Sequence, residues 1–305
     1  MTLMHTLAQR LAGLKLLAAL AVVTTAALIV ACDSSATVTP PSASVVLVGA
    51  GDIADCNAAP TAALLDNIQG TVFTAGDNAY PVGSDANFTQ CYNPSWGRHK
   101  ARTRPAPGNH DYDTPGAAGY FRYFGAQAGT AGLGYYSYDI GAWHIISLNS
   151  QYDYGVGIDP STPQGQWLRA DLAANTKRCI IAYWHYPRFS SGAQHGSDGN
   201  LQTFWDALYA AGATIVISAH DHEYERFAPQ APDGTADPVR GIREFVVGTG
   251  GAGFHIFATP LPNSEVRNNN SHGVLKLTLS DGSYEWQFIP VAGDSFTDSG
   301  SGTCH

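Results

Sequence analysis

Positive charge is scarce in this chain. Of its 305 residues only 16 are Lys or Arg, against 25 Asp or Glu, and charged residues together make up 13%. A formal charge of −9, with no block of like charge, argues against a nucleic-acid partner and against a charged binding tail. No internal repeat occurs at a solenoid period, and no linker divides residues 44–305, so that stretch reads as one domain. The cysteines lack zinc-ribbon spacing, which disfavours a thiolate metal site. What is plentiful is glycine (33), proline (17) and apolar residues (44%), the composition of a sizeable core with many ordered loops.

Residues 1–31 read as an export signal. Arg10 and Lys15 precede an apolar run from Leu16 to Val30, and Ile29-Val30-Ala31-Cys32 matches a bacterial lipobox with Cys32 as the lipidated residue. An uncleaved anchor is the alternative, although the run falls short of the roughly 20 residues a span needs. Residues 32–43, rich in Ser, Thr, Ala and Pro, then form a tether to a membrane surface. Cys56, Cys91, Cys179 and Cys304 remain, an even count that predicts disulfides in an exported chain, with three possible connectivities. Cys56–Cys91 is favoured because each follows a loop expected around the site. Cys179–Cys304 would then pin the C-terminus to a core strand.

Ser44 to Gly49 and Thr71 to Ala75 are continuous apolar runs, the mark of strands buried on both faces, with a helix expected over Ala59 to Ile68 between them. This βαβ unit puts Asp52 and Asp77 at the same carboxyl edge, where open α/β sheets bind ligands. Leu133 to Ser150 reads as a hairpin, with helices over Thr162–Ala174 and Leu201–Ala211. Further strands span Cys179–Trp184 and Thr214–Ser218. In the tail, Glu244–Val247, Val274–Leu279 and Tyr284–Ile289 are expected to be antiparallel strands of a second sheet.

Polar groups sit at successive strand exits: Asp52; Asp77 with Tyr80; Asn109 with His110; His185; and His220 with His222. Singly each is an ordinary turn or core residue. Together they match what two cations about 3.5–4 Å apart require: a bridging carboxylate to offset their repulsion, and neutral imidazoles and an amide that keep the site positive for a phosphate.

In order, Gly51-Asp52, Gly76-Asp77-Asn78-Ala79-Tyr80, Gly108-Asn109-His110-Asp111, Ala182-Tyr183-Trp184-His185 and Ala219-His220-Asp221-His222 resemble the motifs of the calcineurin-like metallophosphoesterases. Within that superfamily they resemble the purple acid phosphatase branch. The resemblance, over residues 44 to about 250, implies a four-layer α/β/β/α sandwich, two mixed sheets flanked by helices. It implies Fe(III) on Asp52, Asp77, Tyr80 and His222, and a divalent Zn, Fe or Mn on Asp77, Asn109, His185 and His220. His110, oriented by Asp111, would meet the phosphate or protonate the leaving group, and His195 falls where the family keeps a second substrate-binding histidine. The implied activity is hydrolysis of small phosphomonoesters by in-line attack of a metal-activated hydroxide. A phosphodiesterase or nucleotidase on the same fold is the alternative, and a phosphate-binding lipoprotein without turnover the more distant one.

Two motif glycines are replaced, by Ala54 and Ala219, which puts loop geometry rather than ligand chemistry in question. Gly248 to Gly253 fits GxGxxG, but no helix is expected after it, so a dinucleotide site is disfavoured. His144 reads as a core residue, and Tyr135, Tyr136 and Tyr138 as sheet packing.

Overall fold

Alternate residues of the central strands point into two different cores, which is why those strands read as unbroken apolar runs. In β6 (Cys179–Tyr183), Cys179, Ile181 and Tyr183 face the opposite sheet, while Ile180 and Ala182 face helices. The computed structural model describes residues 44–53, 56 and 58–305. The predicted export signal, the Cys32 anchor, the tether and Ala54 lie outside the described residues. Among those described, no helix is long and apolar enough to cross a membrane.

The first sheet joins the parallel strands β1 (Val45–Ala50), β2 (Thr71–Ala75) and β3 (Thr103–Ala106) to the antiparallel β11 (Gly273–Ser280), β12 (Ser283–Pro290) and β13 (Ser299–Thr303), in the order β13-β12-β11-β1-β2-β3. The second runs β10-β8-β9-β7-β6-β5-β4. Its centre is the parallel set β5 (Trp143–Ser147), β6, β7 (Ile215–Ser218) and β9 (Arg243–Val247). Antiparallel β4 (Tyr136–Ile140) lies on one side, β8 (Tyr224–Phe227) and β10 (Ser264–Asn268) on the other. Inner-face residues such as Leu47, Phe73, Trp143, Ile217, Phe245 and Leu275 form the core between the sheets. On the outer face of the second sheet, Leu168 of α5 (Pro163–Ala174) and Phe204, Trp205 and Leu208 of α6 (Gln202–Ala210) cover Ile146, Ile180 and Val216. With α1 (Ala59–Asp66) against the first sheet, the chain forms the expected α/β/β/α sandwich. Short helices α2 (Asp85–Asn87), α3 (Asn109–Tyr112) and α4 (Ala118–Phe124) lie in the loops between β2 and β4.

The tail departs from expectation. The β11–β12 hairpin does not build the second sheet but extends the first, pairing with β1, whereas Glu244–Val247 does join the second sheet, antiparallel to β8 and parallel to β7. Alternation shows that one strand face is polar, but it carries no information on which distant strand is the partner. Glu244 is buried, and its carboxylate accepts from Ser218 Oγ at 3.0 Å and from the Arg188 and Phe189 amides at 3.2 and 3.1 Å. Burial outweighs those donors and raises its pKa to about 8. The strand β3, expected only as an exit before Asn109, had no bounds assigned because it contains Pro105, and proline is tolerated here because β3 is a sheet edge. The Pro105 carbonyl accepts from Tyr120 and Tyr136 hydroxyls, both at 2.9 Å, and from Ser147 Oγ at 3.3 Å.

Both favoured disulfides form, Cys56–Cys91 and Cys179–Cys304. Their separations of 35 and 125 residues correspond to roughly 4 and 5 kcal/mol of chain-entropy stabilisation.

His144, expected in the core, is buried but doubly paired. Nδ1 lies 2.8 Å from Asp139 Oδ1 and Nε2 lies 2.8 Å from Asp171 Oδ2, while Ser137 Oγ donates to Asp171 Oδ1 at 2.6 Å. Lys177 Nζ is 3.8 Å from Asp139. Burial alone would lower the His144 pKa, but the two carboxylates outweigh it and raise the value above its ordinary range. A raised folded pKa stabilises fully below the unfolded value of about 6.5 and is lost as pH climbs through the folded value. His144→Gln is therefore expected to cost about 1 kcal/mol more at pH 5.5 than at pH 9. Urea unfolding at the two pH values checks this, and an equal or opposite difference would refute the clasp.

Candidate metal centre

Five strand exits meet at one edge of the sandwich: β1 leads to Asp52, β2 to Asp77, β3 to Asn109, β6 to His185 and β7 to His220. The turns are tight. Asp52, Asp77 and His220 have φ of 55°, 50° and 71°, and they are three of the five non-glycine residues with positive φ among those described. Left-handed backbone at such residues costs on the order of 1–2 kcal/mol each and persists where the surrounding structure over-determines it. Gly76 (φ 86°) has no room for a side chain, since a Cβ there would stand 2.5 Å from the His185 ring. Ala219 replaces a motif glycine without strain because its methyl meets Gly51, where a second Cβ would come within 2.4 Å.

The donor atoms fall into two overlapping groups. Tyr80 Oη lies 2.9 Å from Asp77 Oδ2, 3.1 Å from Asp52 Oδ1 and 3.3 Å from His222 Nε2. His185 Nε2 lies 2.9 Å from Asn109 Oδ1, 3.2 Å from His220 Nδ1 and 3.3 Å from Asp77 Oδ2. Ligand atoms of Asp52, Asp77 and His185, all buried, lie within 4.8 Å of one another and form a candidate metal-binding cluster.

The donor set fits a cation. His185 Nδ1 is 2.8 Å from the Ala75 carbonyl and His222 Nδ1 is 2.6 Å from the Gly253 carbonyl. A carbonyl only accepts, so both rings donate there and turn their Nε2 lone pairs inward. Lone pairs of His185, His222, Asn109, Asp52 and Asp77 thus crowd together, an arrangement that costs energy without a positive charge between them. A proton partly serves that role: burial would raise Asp77, but His185, His110 and His220 outweigh it and depress the carboxylate, while Asp77 in turn raises His185 to about 9 despite its burial. Burial, then Asp77 and Asp52, push the Tyr80 phenol well above its ordinary value.

His110 lies beside this group, with Nε2 3.9 Å from Asp77 Oδ2 and its ring 4.3 Å from that of Tyr80. Asp111 does not orient it. The Asp111 Oδ2 accepts from the Gly108 amide at 2.9 Å and from Asn78 Nδ2 at 2.8 Å, fixing the turn before Asn109. His110 is instead oriented through Nδ1 by the Pro81 carbonyl at 2.6 Å, with Asp113 at 3.5 Å. Burial and the Asp77 charge raise Asp111 to about 7. His195 stacks on His220, ring centroids 3.8 Å apart, so it does reach the site.

Three contributors were not anticipated. His255 stacks on His222 at 3.9 Å. Asp221 is buried and accepts from Ser190 Oγ at 2.6 Å and from the Gly196 amide at 2.9 Å, which ties down the loop bearing His195. His255, Ser190 and Gly196 outweigh its burial and lower its pKa to about 2. The glycine-rich run Gly248–Gly253 is no nucleotide loop: its Gly250 and Ala252 amides donate to the Gly51 and Asp52 carbonyls at 2.9 and 3.0 Å, and its Gly253 carbonyl holds His222. The only signal for this role was the density of glycine just ahead of a histidine.

Residues 35–224 match the sequence pattern of the family described as Calcineurin-like phosphoesterase. The chain is 31% identical over 153 residues to Purple acid phosphatase 22 of Arabidopsis thaliana, covering 47% of this chain and 34% of that protein. It is 31% identical over 142 residues to Acid phosphatase type 7 of Homo sapiens, covering 40% and 32%. The aligned part thus spans about a third of the length of these relatives. Among solved structures, the purple acid phosphatase PPD1 from yellow lupin seeds superposes with a TM-score of 0.69 at 19% identity, over 85% of this chain and 54% of that one. GAP50, the anchor in the inner membrane complex of Plasmodium, gives 0.63 at 15% identity, over 84% and 88%. These likenesses show a common fold. With more than half of its length matching one family pattern and that family's motifs meeting at one sheet edge, the chain belongs to the calcineurin-like phosphoesterases.

Proposed function

We propose that the protein is a dinuclear metallophosphoesterase that hydrolyses phosphomonoesters in the manner of an acid phosphatase. Asp52, Asp77, Tyr80 and His222 would hold one cation, Fe(III), and Asp77, Asn109, His185 and His220 the other, a divalent Zn, Fe or Mn. The observation that carries the reading is that Asp77 Oδ2 is common to both donor groups, 2.9 Å from Tyr80 Oη and 3.3 Å from His185 Nε2. Such a cation pair supplies Lewis-acid polarisation of the phosphoryl oxygens and lowers the pKa of water. Asp52 is steadied by the His220 amide, which donates to its Oδ2 at 2.8 Å, and Asp77 by the His110 amide, which donates to its Oδ1 at 2.9 Å. With Nδ1 held by Pro81, His110 directs Nε2 at the centre, where it moves a proton to the leaving alkoxide. His195 contacts the phosphate. The two disulfides support an oxidising, exported location, and Cys32 is the proposed lipid anchor.

Asp77→Asn should cut phosphatase activity by more than the 10–100-fold loss typical of outer partners of a metal ligand. It should also reduce metal content from about two ions per chain, measured by plasma mass spectrometry. Unchanged activity would sink the two-metal reading. The buried phenol of Tyr80 gives up its proton only to a strongly charged hard cation. Tyr80→Phe in iron-loaded protein should therefore abolish a visible charge-transfer band, and a band that survives would remove Tyr80 as an iron ligand while leaving the paired site standing. Turnover of 4-nitrophenyl phosphate should exceed that of bis(4-nitrophenyl) phosphate at least tenfold, and the reverse order would make the protein a diesterase.

A further inference from the structure

A cavity of about 350 Å³ opens beside the metal centre and shares His220 and His195 with it. No Lys or Arg lines it; two carboxylates, Asp153 and Asp198, and two phenols, Tyr152 and Tyr186, do. Tyr186 is only 6% exposed, with its ring 4.5 Å from that of His220. Its backbone is fully engaged, the amide donating to Ser150 Oγ and the carbonyl accepting from Trp184 Nε1. Its phenolic oxygen has no partner among the described residues. The Tyr186 ring is thus buried and fixed, while its hydroxyl stays open to the cavity and free to meet a guest.

The carboxylates are arranged for a guest of opposite charge. Asp198 is fixed by Tyr152 Oη at 2.7 Å and by the Asn200 amide at 2.9 Å, donors that orient it without neutralising it. Neither Asp153 nor Asp198 makes an ion pair among the described residues. The Tyr152 and Tyr186 rings meet edge to face, centroids 5.8 Å apart, and form an aromatic corner. A leaving group carrying a second phosphate would bring like charge to two unpaired carboxylates. A leaving group carrying an ammonium would be attracted to both carboxylates and to the ring faces.

We infer that this cavity receives the alcohol part of the substrate and selects phosphate esters of amino alcohols, the phosphocholine and phosphoethanolamine class. The inference rests on the phosphoesterase reading above. The test compares phosphocholine with 3,3-dimethylbutyl phosphate, its uncharged carbon isostere, on the full metal-loaded chain. Both kcat/KM and the dissociation constant by calorimetry are read, so that the phosphate contribution cancels in each ratio. The expected preference for phosphocholine is about tenfold, the size of one cation–π or charge contact. It should fall to within about twofold in Asp153→Asn, and reverse against pyrophosphate in Asp153→Lys. Equal handling of the two esters by the unaltered chain, or a preference that survives Asp153→Asn, would overturn the inference. Tighter, Asp153-dependent binding of phosphocholine without hydrolysis of either ester would support the cavity assignment and overturn the hydrolase reading instead.

Discussion

Lone pairs that face one another in a buried space repel, and this fold is built to hold several of them within hydrogen-bond distance. The convergence is on Asp77 Oδ2, which meets Tyr80 from the first sheet and His185 from the second. Neither sheet alone could bring these atoms together. The inter-sheet core, with Phe73 against Tyr183 at 5.8 Å, sets the spacing of the strand exits and so the spacing of the donors. Left-handed turns at Asp52, Asp77 and His220 then aim the side chains inward, at a local cost that the core offsets.

Buried carboxylates outside the donor set do a second job. Asp111 fixes the turn that presents Asn109, Asp221 ties down the His195 loop, and Glu244 caps the Arg188–Phe189 segment behind that loop. Each accepts from at least one backbone amide of a loop, besides a side-chain donor, while its own backbone belongs to a strand, a short helix or a strand exit. Loops rich in glycine and serine thereby acquire fixed positions through hydrogen bonds as well as through buried rings such as Phe189.

Much of this was legible in the sequence for an identifiable reason. Strands buried on both faces announce themselves as apolar runs, and a polar residue just beyond such a run marks a strand exit, so Asp52, Asp77, His185 and His220 stood out. What was not legible depended on distant partners. The β11–β12 hairpin carries the alternation of an antiparallel pair wherever it docks, and only packing against β1 determines its sheet. Asp111 sits next to His110 in sequence, yet one helical residue turns its carboxylate to Asn78, so adjacency misled. His255 and Asp221 act through stacking and loop amides, contacts that leave no periodic trace in sequence.

The triple acceptance at the Pro105 carbonyl bears on the solubility of the folded chain. β3 ends the first sheet, and an open edge is a template onto which another chain can add a strand. At Pro105 that template is spoiled twice. The ring removes the amide hydrogen that an incoming strand would need, and the outward carbonyl is already engaged by Tyr120, Tyr136 and Ser147. The same three hydroxyls that lash this edge to its neighbours in the sandwich also seal it against edge-to-edge self-association.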